Sequence, residues 1–226
     1  MRSTRDLYDF ELEPEVRDWL DSLSDSDFKR VDEVCGMLAQ RGTKLGGPWS
    51  DHLEGAVWEL RIRLRDVAAR VTYWCTPDSK IVLLTVFRKT RQHDQRQIDR
   101  AVRAQKLCES DHHGPAAGIY EAGVMTGYHT RWVRPETEAD DPERLAIRES
   151  LAFGKALYDR RTALGLSVTD LAGRAGMTAD EIECIEEGGT EPTVALLRRL
   201  AAALDADVRL TAGHDLGSVW FETHAA

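Results

Sequence analysis

The sequence predicts an α+β protein of two domains, in which a small, mostly antiparallel sheet with two helices is followed by a helical domain. Two helical patterns and three strand-like apolar segments occupy residues 7–106. A glycine-rich connector comes next, and the rest of the chain has mostly helical periodicity with repeated capping signals. The 226 residues are enough for two domains that each bury a core.

The first domain is expected to begin with a short strand in "LYDFEL" and two helices. The segment "PEVRDWLDSL" opens with Pro14 and repeats apolar residues at helical spacing, and "SDSDFKRVDEVCGMLAQRG" does the same until Gly42 ends it. Three strands follow in "AVWELRIRLR", "AARVTYWCT" and "KIVLLTVFRK", with "PDS" as the last turn. A polar helix, "DQRQIDRAVRAQKLC", closes the domain.

One face of the predicted sheet is basic. Arg61 and Arg63 share this face because successive side chains of a strand point to opposite sides. Arg70 lies in the next strand, and more cations follow the third. Residues 57–106 carry 12 bases and 5 acids, a net charge of +7, within a chain of net charge -9. We expect a polyanionic ligand or an acidic partner to cover this face; a solvated sheet surface is the alternative.

The order of these elements, with "VWELRIR", "ARVTYW" and "IVLLTVFRKTRQ", resembles the RelE and HigB toxins of bacterial toxin–antitoxin systems. The resemblance covers most of residues 5–108. It implies a metal-independent endoribonuclease that cuts mRNA, usually on the ribosome. It also favours Arg61 and Arg70 as phosphate ligands, since both match arginine positions of that family.

Metal-free RNA cleavage needs a base for the 2′-hydroxyl proton, cations beside the scissile phosphate and an acid for the leaving oxygen. Arginine suits phosphate because its planar fork donates two parallel hydrogen bonds. The predicted catalytic residues lie on the basic face and at its strand end: Arg61, Arg63, Arg70, Lys89, Arg91 and His93. His93 is the candidate proton carrier, or else an exposed residue at a helix start, and Tyr73 is a weaker candidate.

No metal and no cofactor are expected. The four cysteines, Cys35, Cys75, Cys108 and Cys184, are scattered and lack the spacing of a zinc site. We interpret them as buried or idle thiols of a reducing compartment. The charged N-terminus lacks the apolar run of a signal peptide, and the longest apolar segments are too short for a bilayer, so the sequence predicts a cytoplasmic protein without a membrane partner.

Residues 111–142 are predicted to be a linker between domains at 1–110 and 143–226. The segment "DHHGPAAGIYEAGVM" is rich in glycine and has little periodicity. Met125 is interpreted as the start codon of an ancestral second reading frame. The linker is also the expected place for a protease to separate the two domains.

Four helices and a two-stranded tail are expected after Pro142. The helical segments are "PERLAIRESLAFGKALYDRRTALG", "SVTDLAGRAG", "MTADEIECIEEGG" and "PTVALLRRLAAALD", and the tail is "DVRLTAGHDLGSVWFE". Ser167 with Asp170, and Thr178 with Glu181, have the spacing of helix-capping pairs. Two short helices joined by a tight turn and followed by a packing helix form a helix-turn-helix.

The runs "LAGRAGMTADEIECIEEG" and "EPTVALLRRLAAALDADVRL" resemble the HigA-like Xre/Cro antitoxins that accompany HigB toxins, over residues 148–210. The resemblance implies operator binding by a recognition helix that starts at Thr178, after a helix over residues 168–175. The residues expected to approach DNA are Arg174, Thr178, Ala179, Asp180 and Glu183.

The recognition helix is acidic, since "TADEIECIEE" holds five acids and no base. Helices that read DNA usually present Arg, Asn or Gln to base edges and cations to phosphates. Two roles for this half therefore stay open: operator binding, and an acidic cover for the basic face that tethering would favour.

The sequence thus predicts a fused toxin–antitoxin protein. Its first domain would act on mRNA and the ribosome, and an intramolecular contact with the antitoxin domain would hold it inactive. The antitoxin domain would bind operator DNA, and a homodimer is expected because a palindromic site requires one. Two alternatives are a transcription regulator with an inert first domain, and an assembly that neutralises a separate toxin by protein binding.

Overall fold

The computed structural model describes residues 7–65, 67–89, 94–113, 129–135, 141–210 and 219–223. The chain forms two compact units, one of Met1–Ile62 with Val67–Glu136 and one of Arg63–Asp66 with Thr137–Ala226. Their secondary structure confirms the α+β class. Among the residues described, none of the helices combines the length and the apolarity that crossing a bilayer requires.

The first unit is built on a six-stranded sheet of order β2-β3-β4-β5-β1-β6. The strands are β1 (Asp9–Leu12), β2 (Ser50–Glu54), β3 (Val57–Arg63), β4 (Ala68–Cys75), β5 (Lys80–Arg88) and β6 (Thr130–Trp132). β1 pairs with β5 in parallel, while the β1–β6, β2–β3 and β4–β5 pairs are antiparallel. The mostly antiparallel sheet is as the sequence predicts.

The described residues of the first unit also form three α-helices, α1 (Pro14–Asp21), α2 (Asp25–Arg41) and α3 (Gln95–His113), and a short 3-10 helix at Gly42–Lys44. Their starts and stops follow local chemistry. Pro14 occupies the first turn of α1, and the Ser24 hydroxyl caps α2 by accepting from the Asp27 N–H at 3.2 Å. Gly42 ends α2 with a φ of +53°, a conformation that glycine adopts without strain.

The first unit extends into the segment that the sequence assigns to the linker. α3 continues to His113, and β6 pairs with β1. The Trp132 ring lies 5.4 Å from that of Phe10, centroid to centroid, and Nε of Arg134 donates to Oδ1 of the fully buried Asp32 at 2.8 Å. These partners are distant in the sequence, and the segment itself is polar and proline-rich, so no local pattern indicated a strand.

The second unit contains α4 (Pro142–Ala163), α5 (Val168–Ala175), α6 (Ala179–Glu186) and α7 (Val194–Ala203). β7 (Ala206–Leu210) and β8 (Val219–Thr223) form an antiparallel pair. The unit is therefore helical with a terminal hairpin, as the sequence predicts. Its core includes the fully buried side chains of Phe153, Leu157, Leu171, Ile182 and Leu200.

The predicted capping pairs are confirmed. Ser167 accepts from the Asp170 N–H at 3.1 Å, and Thr178 accepts from the Glu181 N–H at 3.2 Å. In both pairs the carboxylate in turn accepts a hydrogen bond from the backbone N–H of the capping residue, which completes a capping box. Gly176 ends α5 with a φ of +63° and turns the chain into α6.

Candidate functional sites

The Glu59 carboxylate brings two arginines of the basic face together. Nε of Arg61 donates to Oε1 of Glu59 at 3.0 Å, and Nε of Arg70 lies 3.5 Å from the same oxygen. Nη2 of Arg61 also donates to Oδ2 of Asp51, on the neighbouring strand β2, at 2.8 Å. The basic face is therefore partly neutralised by two acids of its own sheet. Asp51 was not anticipated, because the polar segment that forms β2 shows no strand alternation.

The two arginines differ in their access to solvent. The Arg61 side chain is 31% exposed, whereas that of Arg70 is 3% exposed. Nη1 of Arg70 donates to the Ala69 carbonyl at 3.0 Å, inside the unit. Arg61 can thus meet a phosphate directly, while Arg70 is placed to hold Glu59, and through it Arg61, in position.

Of the predicted catalytic residues that follow β5, the structure describes only Lys89. Lys89 follows β5, and its N–H donates to the Ala68 carbonyl at 2.8 Å, so it adjoins the strand start that carries Arg70. Arg91 and His93 lie outside the described residues, and their roles stay predictions.

Tyr73 is a core residue. Its side chain is fully buried, and its hydroxyl lies 2.7 Å from Oγ of Ser50. Burial raises the pKa of the Tyr73 phenol well above its usual range. A buried phenol with a raised pKa is a poor proton carrier for a surface reaction, so the weaker acid–base candidate of the sequence is not supported.

Arg63 is the last residue of β3, but the segment Arg63–Asp66 belongs to the second compact unit. The contacts of Arg63 therefore differ from those of the basic face. Its Nε donates to Oε2 of Glu187 at 3.1 Å, and its Nη2 lies 3.7 Å from Oδ1 of Asp180. The Arg63 side chain is 11% exposed and that of Glu187 is 5% exposed. Arg63 is therefore less accessible to a phosphate than Arg61, because it is less exposed and its partner Glu187 is buried.

The residues expected to approach DNA lie around the turn between α5 and α6. Arg174 is exposed in the last turn of α5, and Thr178 is exposed at the start of α6. Ala179 is half-buried, and the Asp180 side chain is 79% exposed. Glu183 lies one turn further along α6 and is half-buried. Three of the five, Thr178, Ala179 and Asp180, therefore lie at the start of α6.

Most acids of α6 have an internal partner. Glu181 accepts from the Thr178 N–H at 2.7 Å, which lowers the pKa of its carboxyl. Nε and Nη2 of Arg161 donate to the two oxygens of Glu186 at 2.5 and 2.8 Å. Burial raises the pKa of Glu186, and the hydrogen bonds from Arg161 oppose that effect. Helix capping and buried ion pairs thus explain much of the acidity of α6.

The Arg199 side chain caps the C-terminal end of α5. Its Nε donates to the Ala175 carbonyl at 2.5 Å, and its Nη2 donates to the Gly176 carbonyl. These carbonyls end a helix and have no partner within it, so a cation is well placed there. The sequence does not predict this role for Arg199, because a cap supplied from a separate helix leaves no local signal.

Each half of the chain matches a known protein family or domain. Residues 18–106 match the family of phage-derived Gp49-like proteins, and residues 152–212 match a helix-turn-helix domain. The chain joins a Gp49-like, toxin-like domain to a helix-turn-helix domain. This is the arrangement of a RelE/HigB-like toxin fused to an Xre-type domain, which the sequence predicts.

The restriction-modification controller protein C.AhdI from Aeromonas hydrophila is a solved structure similar to part of this chain. It is 34% identical over a match that covers 25% of this chain and 85% of the controller, with a TM-score of 0.24. No curated protein sequence matches the chain.

The matched ranges contain the candidate sites. Arg61, Arg70 and Lys89 lie within the Gp49-like match, and the five candidate DNA-binding residues lie within the helix-turn-helix match. β6 lies between the two ranges, although it completes the sheet of the Gp49-like unit.

Proposed function

We propose that this chain is a fused toxin–antitoxin protein whose Gp49-like domain is a metal-independent mRNA endoribonuclease that acts on the ribosome. Its antitoxin half holds that domain inactive and binds operator DNA. The observation that carries the proposal is Arg61, a partly exposed arginine whose guanidinium is oriented by Glu59 and Asp51. An arginine fixed by carboxylates is pre-organised for phosphate.

In the proposed reaction, Arg61 binds the scissile phosphate and stabilises the charge that develops on it. Arg70 acts as a positioning residue through Glu59, and Lys89 and Arg91 add positive charge. Two groups are candidates to accept the 2′-hydroxyl proton: His93 and the Asp51 carboxylate, which is 61% exposed and 2.8 Å from Arg61.

Latency is supported by the position of β6. We infer that the ancestral second reading frame begins at Met125, so that β6 is the first strand of the antitoxin half. An extended segment that adds to a sheet edge gains affinity from main-chain hydrogen bonds and specificity from side-chain pockets. Trp132 against Phe10 and Arg134 against Asp32 supply such side-chain contacts.

For operator binding, Thr178 and the backbone N–H groups at the start of α6 would approach the bases, with Arg174 on a phosphate. The acids used for capping and ion pairing have local roles, so the acidity of α6 does not argue against this mode. A homodimer is part of the proposal, because each helix-turn-helix reads one half-site of a palindrome.

Induced expression tests the ribonuclease. The forms compared are the full chain, residues 1–136, and residues 1–113 without β6, while translation rate is followed and mRNA 5′ ends are mapped by primer extension. We expect residues 1–113 to stop translation and to create new 5′ ends, and the full chain to do neither. In that fragment Arg61→Ala should abolish the new ends, while Arg41→Ala, an exposed arginine of α2, should leave them. A folded fragment that makes no new ends would refute the proposal.

The alternative is a transcription regulator whose first domain is inert. It is favoured by one observation, namely that Arg70 is buried and Arg61 is already engaged by two acids. Footprinting of the full chain on the DNA upstream of its own gene tests operator binding. Arg174→Ala should then lower the salt dependence of binding by about one phosphate contact per subunit. DNA binding without any RNA cleavage would support the regulator.

A further inference from the structure

We propose that Glu13, Cys108 and His129 form a binding site for Zn²⁺ in the Gp49-like unit. Each residue offers one ligand atom, and these three atoms all lie within 4.8 Å of one another. Cys108 is 1% exposed, and the side chains of Glu13 and His129 are 22% and 13% exposed. A sulfur, a nitrogen and an oxygen donor are therefore gathered in a largely buried place.

The three donors come from different elements whose backbones are held by the fold. Glu13 immediately precedes α1, and its N–H donates to the Leu83 carbonyl of β5 at 3.0 Å. Cys108 lies in α3 and packs in an apolar cluster that includes Trp74. His129 immediately precedes β6, which pairs with β1. The tertiary structure thus brings the three donors together, and they are already close to one another in the folded protein.

The geometry is close to what Zn²⁺ requires. Nδ1 of His129 lies 3.5 Å from Oε1 of Glu13. Two donors bound to one tetrahedral Zn²⁺ are separated by about 3.3–3.8 Å, given metal–ligand distances of about 2.0–2.3 Å. Small side-chain rotations would bring the Cys108 sulfur to the same separation. Three protein ligands leave a fourth position for water.

The donor types select the ion. Thiolate and imidazole favour Zn²⁺, whereas Mg²⁺ and Ca²⁺ prefer sites made of oxygen ligands. The site does not include Arg61, Arg70 or Lys89, so it is separate from the residues proposed for RNA cleavage. A bound ion would fasten the start of β6 to α1 and α3, and would stabilise the unit by binding the folded state alone.

The test uses the full chain, stripped of metal by a chelator and then titrated with Zn²⁺ by calorimetry or with Co²⁺ by absorption. We expect one ion per chain, a near-ultraviolet thiolate-to-Co²⁺ band, and a Tm increase of about 5 °C at Zn²⁺ a hundredfold above Kd. Cys108→Ser should lose the band. His129→Gln should weaken Zn²⁺ binding at least about tenfold.

The matched control is Cys75→Ser, a half-buried cysteine of β4 outside the cluster, which should retain the band and the affinity. Circular dichroism checks that each variant is folded. If Cys108→Ser does not fold, the Zn²⁺ affinity of His129→Gln alone tests the site. The proposal is overturned if the full chain shows no saturable Zn²⁺ binding, if its Co²⁺ complex lacks a thiolate band, or if His129→Gln binds Zn²⁺ as tightly as the unaltered chain. The cluster would then be a contact between Glu13 and His129 beside a buried thiol.

Discussion

Nε of Arg70 lies 3.5 Å from Oε1 of Glu59, and both side chains are largely buried, at 3% and 13% exposure. The same oxygen accepts a hydrogen bond from Arg61, which is more exposed. Glu59 therefore links a buried arginine to one that can meet a ligand. A substitution of either arginine should reveal this difference in stability as well as in activity.

Arg70→Ala should lower the free energy of unfolding by about 2–4 kcal/mol, because it removes the guanidinium from a largely buried carboxylate and leaves a cavity. Arg61→Ala should cost less, about 1 kcal/mol, since Arg61 is more exposed, its partner Asp51 faces solvent, and Glu59 keeps its contact with Arg70. Urea unfolding of the full chain measures both. An equal or larger loss for Arg61→Ala would contradict the positioning role of Arg70.

Glu186→Gln should lower the free energy of unfolding by about 3–5 kcal/mol, because it removes one partner of a buried, two-point ion pair with Arg161. Glu183→Gln is the matched control on α6, and we expect a cost below about 1 kcal/mol since its side chain is only half-buried. Thermal unfolding distinguishes them. Similar losses from the two substitutions would mean that the Arg161–Glu186 pair contributes no more to stability than a half-buried carboxylate of the same helix does.

The capping box of α6 should make stability depend on pH. The hydrogen bonds from Thr178 lower the pKa of Glu181 below its usual value of 4.5, so the folded state favours the ionised carboxylate. This contribution is present above pH 4.5 and is lost as pH falls through the lowered pKa. The stability difference between the unaltered chain and Glu181→Gln should therefore shrink on acidification; a difference that grows would refute this role.

Arg134→Ala should loosen β6, because Arg134 pairs with the fully buried carboxylate of Asp32. We expect a loss of about 2–4 kcal/mol in the free energy of unfolding of the first unit, and faster amide exchange in residues 129–134. Arg131→Ala, an exposed neighbour in the same strand, serves as the control. In a double-mutant cycle, Asp32→Asn should reduce the effect of Arg134→Ala; strict additivity would show that the pair does not hold β6.

Local sequence was sufficient wherever a short stretch carries its own signal. The capping pair of Thr178 and Glu181 and the stop at Gly42 are such cases, because their hydrogen bonds and backbone angles involve residues only a few positions apart. The two-domain order was also predictable, since period-two and helical patterns separate at the glycine-rich connector.

Of the two acids that contact Arg61, the sequence predicts the position of Glu59 but not that of Asp51. Strand alternation puts Glu59, two residues before Arg61, on the same face, but nothing in the polar run that forms β2 indicates Asp51 as a neighbour of Arg61. Nor did sequence distinguish the buried Arg70 from the accessible Arg61, because burial depends on which strand lies inside the sheet.

The sequence by itself determined the order of the elements, their caps and the basic segment within an acidic chain, because these depend on neighbouring residues and on composition. The tertiary structure alone decided that Arg134 pairs with Asp32, that β6 completes the first sheet, and that Glu13, Cys108 and His129 converge. Those relations join residues far apart in the chain. Pairing of edge strands and packing of helices create them, and no local pattern encodes such distances.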